Sequence, residues 1–178
     1  MALKQNIQER FNNLEAIITE YASEFERLYK EKLREDDFKA TGNLIDSIST
    51  KVKVGSDYYI VTFKAKDYWK WVEEGRRAGK FPPKKPIREW IEAKHILPTP
   101  DAEGNLPTPE QLTFLIQRAI ARKGTIKRYG HEGSHIVYET VEQLNADYIP
   151  LMQEALQEDA EHFIFETLDD SLKTLRIW

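Results

Sequence analysis

Lys51-Val52-Lys53-Val54-Gly55-Ser56-Asp57-Tyr58-Tyr59-Ile60-Val61-Thr62-Phe63-Lys64-Ala65 is where the hydrophobic period of this chain switches from helical to two. Val52 and Val54 alternate with Lys51 and Lys53, the pattern of a half-buried strand. Gly55-Ser56-Asp57 supplies a turn. From Tyr58 to Ala65 the alternation resumes, with Tyr59, Val61 and Phe63 on one face and Tyr58, Ile60, Thr62 and Lys64 on the other. Two such runs joined by a tight loop predict an antiparallel hairpin. An isolated hairpin is marginal in water, so a long helix or further strands must cover its apolar face.

Upstream, residues 3 to 33 read as one helix. Leu3, Ile7, Phe11, Leu14, Ile18, Tyr21, Phe25 and Leu28 recur in steps of three and four, with no Gly or Pro inside. Such a helix spans roughly 46 Å, and either lies over the domain's own sheet or packs in part on another body. Arg34-Glu35-Asp36-Asp37 ends it. Gly42 then breaks the chain before a short helix with Leu44, Ile45 and Ile48 on one face.

Downstream, Tyr68-Trp69-Lys70-Trp71-Val72-Glu73-Glu74 turns helical and Gly75 closes it. Tyr68, Trp71 and Val72 point one way and Trp69 the other. Arg76 to Lys85 is a basic loop stiffened by Pro82-Pro83. Pro86 marks the start of a helix with Ile87, Trp90 and Ile91 on its apolar edge. Pro98 to Pro109 is an irregular connector carrying four prolines. Thr108, Pro109 and Gln111 form a capping-box signature for a helix ending at Lys123-Gly124. Its predicted core face is Leu112, Leu115, Ile116, Ala119 and Ile120. Ile136 to Leu144 fits a helix or a strand. Pro150 suits the start of a last helix within residues 145–178, followed by an apolar tail, Leu175-Arg176-Ile177-Trp178.

Together these elements predict a single α+β domain over residues 1–178. A small antiparallel β-sheet is packed by long N- and C-terminal helices (1–34 and 145–178), with a helical insertion over 76–109. Tyr59, Val61, Phe63, Trp71, Ile116 and Ile120 are the expected core.

The chain has 178 residues and a formal net charge of −4, so it exerts no global pull on nucleic acid. The charge is unevenly placed. Between Arg76 and Arg88 lie six cations and no acid, while between Pro150 and Asp170 lie seven acids and no Lys or Arg. These are either two solvated faces or complementary faces of neighbouring copies. The absence of cysteine removes disulfides, thiolate metal sites and cysteine nucleophiles, and fits a reducing compartment. No run approaches a membrane span, and the first residues lack the apolar core of a signal peptide.

Candidate chemistry is thin. His131 and His135 share a face only on a helix, and glycines flank and interrupt this stretch. Ser134 beside His135 has no elbow motif around it. Glu73 and Glu74 beside Arg76 and Arg77 read as a salt-bridge rim, and Gly75 and Gly79 lack phosphate-loop spacing. No catalytic residue, cofactor or metal ligand is therefore assigned. Aromatics mixed with cations mark a contact surface braced by a core. The expected contact residues are Trp69, Arg76, Arg77, Phe81, Lys84 and Lys85. On the acidic side they are Glu158, Glu161 and the terminal Trp178. The same loop also suits a nucleic-acid-binding module that stacks bases on aromatics.

Four pieces, in order, resemble the neck and tail-completion proteins of tailed bacteriophages, the head–tail joining or minor tail group. They are Thr41-Gly42-Asn43-Leu44 with Ser47-Ile48; Tyr68 with Val72-Glu73 and Gly75; Pro83, Ile87, Trp90-Ile91, Lys94 and Ile96; and Leu112, Phe114-Leu115-Ile116, Ala119-Ile120 and Lys123-Gly124-Thr125. The resemblance covers roughly residues 40–130. Thr125 stands where that group more often has Ile, and both terminal helices are heavier. The resemblance implies no catalysis. It implies a ring of identical subunits joining portal or adaptor to tail around a channel. DNA passes through that channel without sequence readout, and no membrane is involved. The implied setting is the virion neck or tail, assembled in the host cytoplasm.

Overall fold

A computed structural model describes residues 11–35, 42–55, 58–126 and 132–175. The elements in chain order are α1 (Asn12–Glu35), α2 (Asn43–Ser47), β1 (Ser49–Val54), β2 (Tyr59–Lys64), α3 (Trp69–Glu74), α4 (Lys84–Ala93), α5 (Pro109–Lys123) and α6 (Ile136–Leu175). The fold is α+β, with a two-stranded antiparallel sheet and long N- and C-terminal helices. The chain divides into two compact units, one of Met1–Tyr29, Ser49–Lys64 and Tyr138–Trp178, the other of Lys30–Ile48 and Ala65–Val137.

In the first unit the hairpin forms as the alternation requires. β1 and β2 pair with Val52 opposite Val61 and Thr50 opposite Phe63, and the Gly55 N–H closes the turn on the Tyr58 carbonyl at 2.8 Å. The core is aromatic. Phe63 meets Phe25 and Tyr29 edge-on, with ring centroids 5.6 and 5.4 Å away, and Phe25 stacks on Tyr29 at 5.9 Å. Each such ring contributes roughly 1.5–3 kcal/mol on burial. β1 is also tied to α1 by polar bonds. The Thr50 N–H donates to Glu26 Oε2 at 2.9 Å, and the Thr50 hydroxyl donates to the Ala22 carbonyl at 3.1 Å.

That cover is partial. Thr19, Ala22 and Ser23 of α1 are too small to fill the space opposite Thr50, Val52 and Val54, and a cleft of about 310 Å³ remains. Val61, expected in the core, is 38% exposed.

α1 begins at Asn12, so the run expected from residue 3 is interrupted at Phe11; residues 1–10 lie outside the described residues. The break has a cause in α6. Asp159 is buried and accepts the first-turn N–H groups of α1, from Leu14 at 2.9 Å and Asn13 at 3.3 Å. Orphan N–H groups at a helix start need such acceptors, and the helix dipole favours a negative one.

α6 starts fourteen residues before Pro150, which sits inside it. Ile136, Thr140 and Leu144 recur every four residues and are all buried, which decides the segment as helix. Pro150 removes one backbone bond, to the carbonyl of Ala146. Both residues are exposed, so the bond is lost where the carbonyl is open to solvent.

In the second unit α4 packs against α5. Leu33, Leu44, Ile45, Ile48, Ile91, Ile120, Ala121 and Ile136 are buried there. The capping box of α5 forms as its sequence predicts: Thr108 Oγ1 accepts from the Gln111 N–H at 3.3 Å, and Gln111 Oε1 accepts from the Thr108 N–H at 2.8 Å. The buried row of α5, however, is Thr113, Gln117, Ile120 and Ala121, whereas Leu115 is 42% exposed. The face is rotated because both polar residues find backbone acceptors, Thr113 Oγ1 on Pro109 at 2.7 Å and Gln117 Nε2 on Pro82 at 2.7 Å. α4 begins at Lys84, placing Pro86 in its first turn, where a missing N–H costs nothing.

Candidate functional site: a cationic aromatic strap

The basic loop is a strap laid antiparallel along α5 and fixed at four heights. Arg76 and Thr125 form the first, with the Arg76 N–H donating to Thr125 Oγ1 and the Thr125 N–H donating to the Arg76 carbonyl, both at 2.7 Å. The Gly79 N–H donates to the Ala121 carbonyl at 2.9 Å. Gln117 holds the Pro82 carbonyl, and Phe81 stacks on Phe114 with centroids 6.1 Å apart. Gly124 permits the approach: its φ is +70°, and a Cβ there would lie 2.3 Å from the Arg76 carbonyl oxygen. Buried Pro82 and its fixed φ complete a segment ordered before any partner arrives.

The strap is anchored at its entry by α3, where the sequence reading misplaced two residues. Trp71, expected in the core, is 42% exposed, and its ring instead carries the Arg76 guanidinium 4.5 Å from its centroid. Arg76 Nη2 also donates to the Lys80 carbonyl at 2.8 Å. Partial burial pulls the Arg76 pKa down from its ordinary value, yet arginine stays charged at any working pH.

Glu73, read from sequence as part of an exposed ion-pair rim, is the buried residue of α3. Its Oε1 accepts from the Val137 N–H at 2.6 Å and its Oε2 from the Ser134 hydroxyl at 3.2 Å. In return the Ser134 and His135 N–H groups donate to the Val72 and Glu73 carbonyls at 2.9 and 3.2 Å. The end of α3 and the start of α6 thus satisfy each other's orphan groups, which offsets the cost of burying a carboxylate. Gly133 is squeezed against this junction, its absent Cβ 2.2 Å from the Glu73 carbonyl oxygen.

The strap and α5 expose both aromatic and cationic side chains. Phe81 is 54% and Phe114 50% exposed, and the Arg118 guanidinium lies 6.0 Å from the Phe114 ring centroid. Arg77, Lys80, Lys84 and Lys85 are exposed. Lys85 and Arg88 pair along α4 with Glu89 and Glu92 at 3.8 and 3.3 Å, whereas Arg77, Lys80 and Lys84 have no ion pair among the described residues. Trp69, the first residue of α3, is half-buried.

Of the expected contact residues, Arg77, Phe81, Lys84 and Lys85 therefore share the second unit's exposed surface, and Arg76 serves mainly as its brace. Phe114 and Arg118 belong to the same surface but were not expected in it. An exposed aromatic on a helix with an arginine four residues later is the sequence signal for such a pair. On the acidic side Glu158 accepts from Asn13 Nδ2 at 3.3 Å and Glu161 Oε1 from Gln157 Nε2 at 2.9 Å, both on α6 of the first unit. Trp178 lies outside the described residues, as does His131. His135 sits at φ +53°, just before α6. No group of three metal-ligating side chains occurs among the described residues. None of the described helices is long and apolar enough to cross a membrane.

No protein-family model, curated protein or solved structure matches the chain.

Proposed function

We propose that this chain is a structural subunit of a ring of identical copies in the head–tail connector of a tailed bacteriophage. There it would join portal or adaptor to tail around the DNA channel, in the virion neck. The observation that carries this reading is the strap: an exposed, stacked Phe81–Phe114 pair beside Arg118, on a segment that also exposes Arg77, Lys80 and Lys84. Aromatic centres with charged rims are the anatomy of protein docking surfaces, and prior ordering lowers the entropy lost on contact. Identical chains that dock through two different faces close into rings when the rotation allows. The four sequence pieces that resemble neck proteins support the same reading.

Arg77→Glu with Lys80→Glu and Lys84→Glu tests it, since these side chains make no ion pair among the described residues. The triple variant keeps its circular dichroism spectrum and loses assembly in analytical ultracentrifugation. Unchanged assembly would remove the strap from the contact.

The exposed phenylalanine stack beside Arg118 favours one second reading, a non-enzymatic module that stacks single-stranded nucleic acid. That reading predicts tryptophan quenching by short DNA, weakening steeply as salt rises.

A further inference from the structure

We infer that the surface receiving the strap is the C-terminal part of α6 in a second copy of this chain, an inference that rests on the ring reading. No described residue of α6 after Asp159 is buried. Yet Ile164, Phe165, Leu168 and Leu172 are 54, 69, 55 and 55% exposed. At about 100° per residue these four side chains fall within a single arc of roughly 100°, so they form one stripe. A contiguous exposed apolar stripe marks an interaction site.

Charge selects the occupant. The stripe starts at Glu161 and is flanked by Glu158 and Asp169, in a stretch with seven acids and no Lys or Arg from Pro150 to Asp170. The nearest lysine on the helix, Lys173, is paired within it with Asp169 at 2.5 Å. Stripe against stripe would bring like charges together. The strap offers the opposite charge and an apolar patch of matching kind: Phe81 and Phe114 beside Arg118, on a segment exposing Arg77 and Lys80 and carrying no acid from Arg76 to Arg88. Apolar centres that meet while their rims attract give both affinity and register. Because stripe and strap are different surfaces, each copy that docks leaves one of each open, and the contact propagates.

The chain contains no cysteine, so cross-linking reports this contact without background. Phe81→Cys and Leu168→Cys are made singly and together in the whole 178-residue chain, and oxidised. The double variant gives a ladder of multimers on a non-reducing gel, and the two single variants, one of them tagged, give a mixed dimer when combined. Circular dichroism reports that each remains folded, as expected at exposed positions. Wild type that assembles while the double variant gives no ladder and the singles no mixed dimer would overturn the stripe–strap contact and leave the ring reading standing. Wild type that is monomeric at every concentration would overturn both. Strap-dependent binding of a short oligonucleotide with no ladder would overturn this inference in favour of nucleic acid.

Discussion

The carboxylate of Glu73 accepts a hydrogen bond from the backbone N–H of Val137 at 2.6 Å, across 64 residues of sequence. A six-residue helix thereby caps a forty-residue one. The relationship fixes where α6 starts and holds the entry of the strap, so its loss reaches both. Glu73→Ala leaves the Val137 N–H and the Ser134 hydroxyl without their acceptor in a part-buried site. The expected cost is about 2–3 kcal/mol in denaturant unfolding, with Glu73→Gln, which keeps an acceptor, losing about half. Equal stability of Glu73→Ala and wild type would show that the junction is not a cap.

Asp159 does the same for α1 within the first unit, accepting from Leu14 and Asn13. Asp159→Ala is expected to destabilise by about 1–3 kcal/mol, and to speed amide exchange first at Asn13 and Leu14. Protection unchanged at those two amides would contradict the capping role.

These two acids show why the sequence was only partly legible. The hairpin, the capping box of α5 and the helical type of most segments follow from local spacing, and each appears as expected. Glu73 and Asp159 look like ordinary surface acids, because the groups that neutralise their burial are helix N-termini far along the chain. The same blindness displaced the start of α6. Pro150 is a strong local start signal, and it was overruled by a cap at Glu73 that spacing cannot reveal. The buried face of α5 was missed because Gln117 and Thr113 are polar; the strap's Pro82 carbonyl satisfies Gln117, and the Pro109 carbonyl of α5 itself satisfies Thr113. The strap's cations were readable from composition. Its aromatic pair was only half readable: Phe81 was expected at the contact surface, but Phe114, outside the predicted core face of α5, was given no role there.

Gly124 and Gln117 set the fit of the strap. Gly124→Ala places a Cβ against the Arg76 carbonyl at a positive φ, with an expected cost of about 1–3 kcal/mol. Gln117→Leu strands the Pro82 carbonyl and is expected to cost about 1–3 kcal/mol. Both should raise hydrogen exchange over residues 76–83, and exchange there equal to wild type would show that the strap is held by something else.

The connector before α5 is expected to respond to pH through Asp101. Asp101 is held below the ordinary aspartate range chiefly by the Asn105 backbone N–H at 2.8 Å, with the Glu103 N–H at 3.0 Å adding to it. A depressed folded pKa means that its contribution is present above the unfolded value and fades as pH falls through the folded one. NMR titration should therefore give an Asp101 midpoint below the ordinary range, with the Asn105 amide shift following it and Asp101→Asn abolishing the response. A midpoint at or above the ordinary range would contradict this loop geometry.

Native mass spectrometry of the 178-residue chain, from dilute to concentrated solution, decides whether identical copies close into a ring. The account predicts closed species at a fixed whole-number multiple of 20.9 kDa, lost when Arg77, Lys80 and Lys84 are reversed to glutamate. A single species at the monomer mass throughout the concentration range would contradict it.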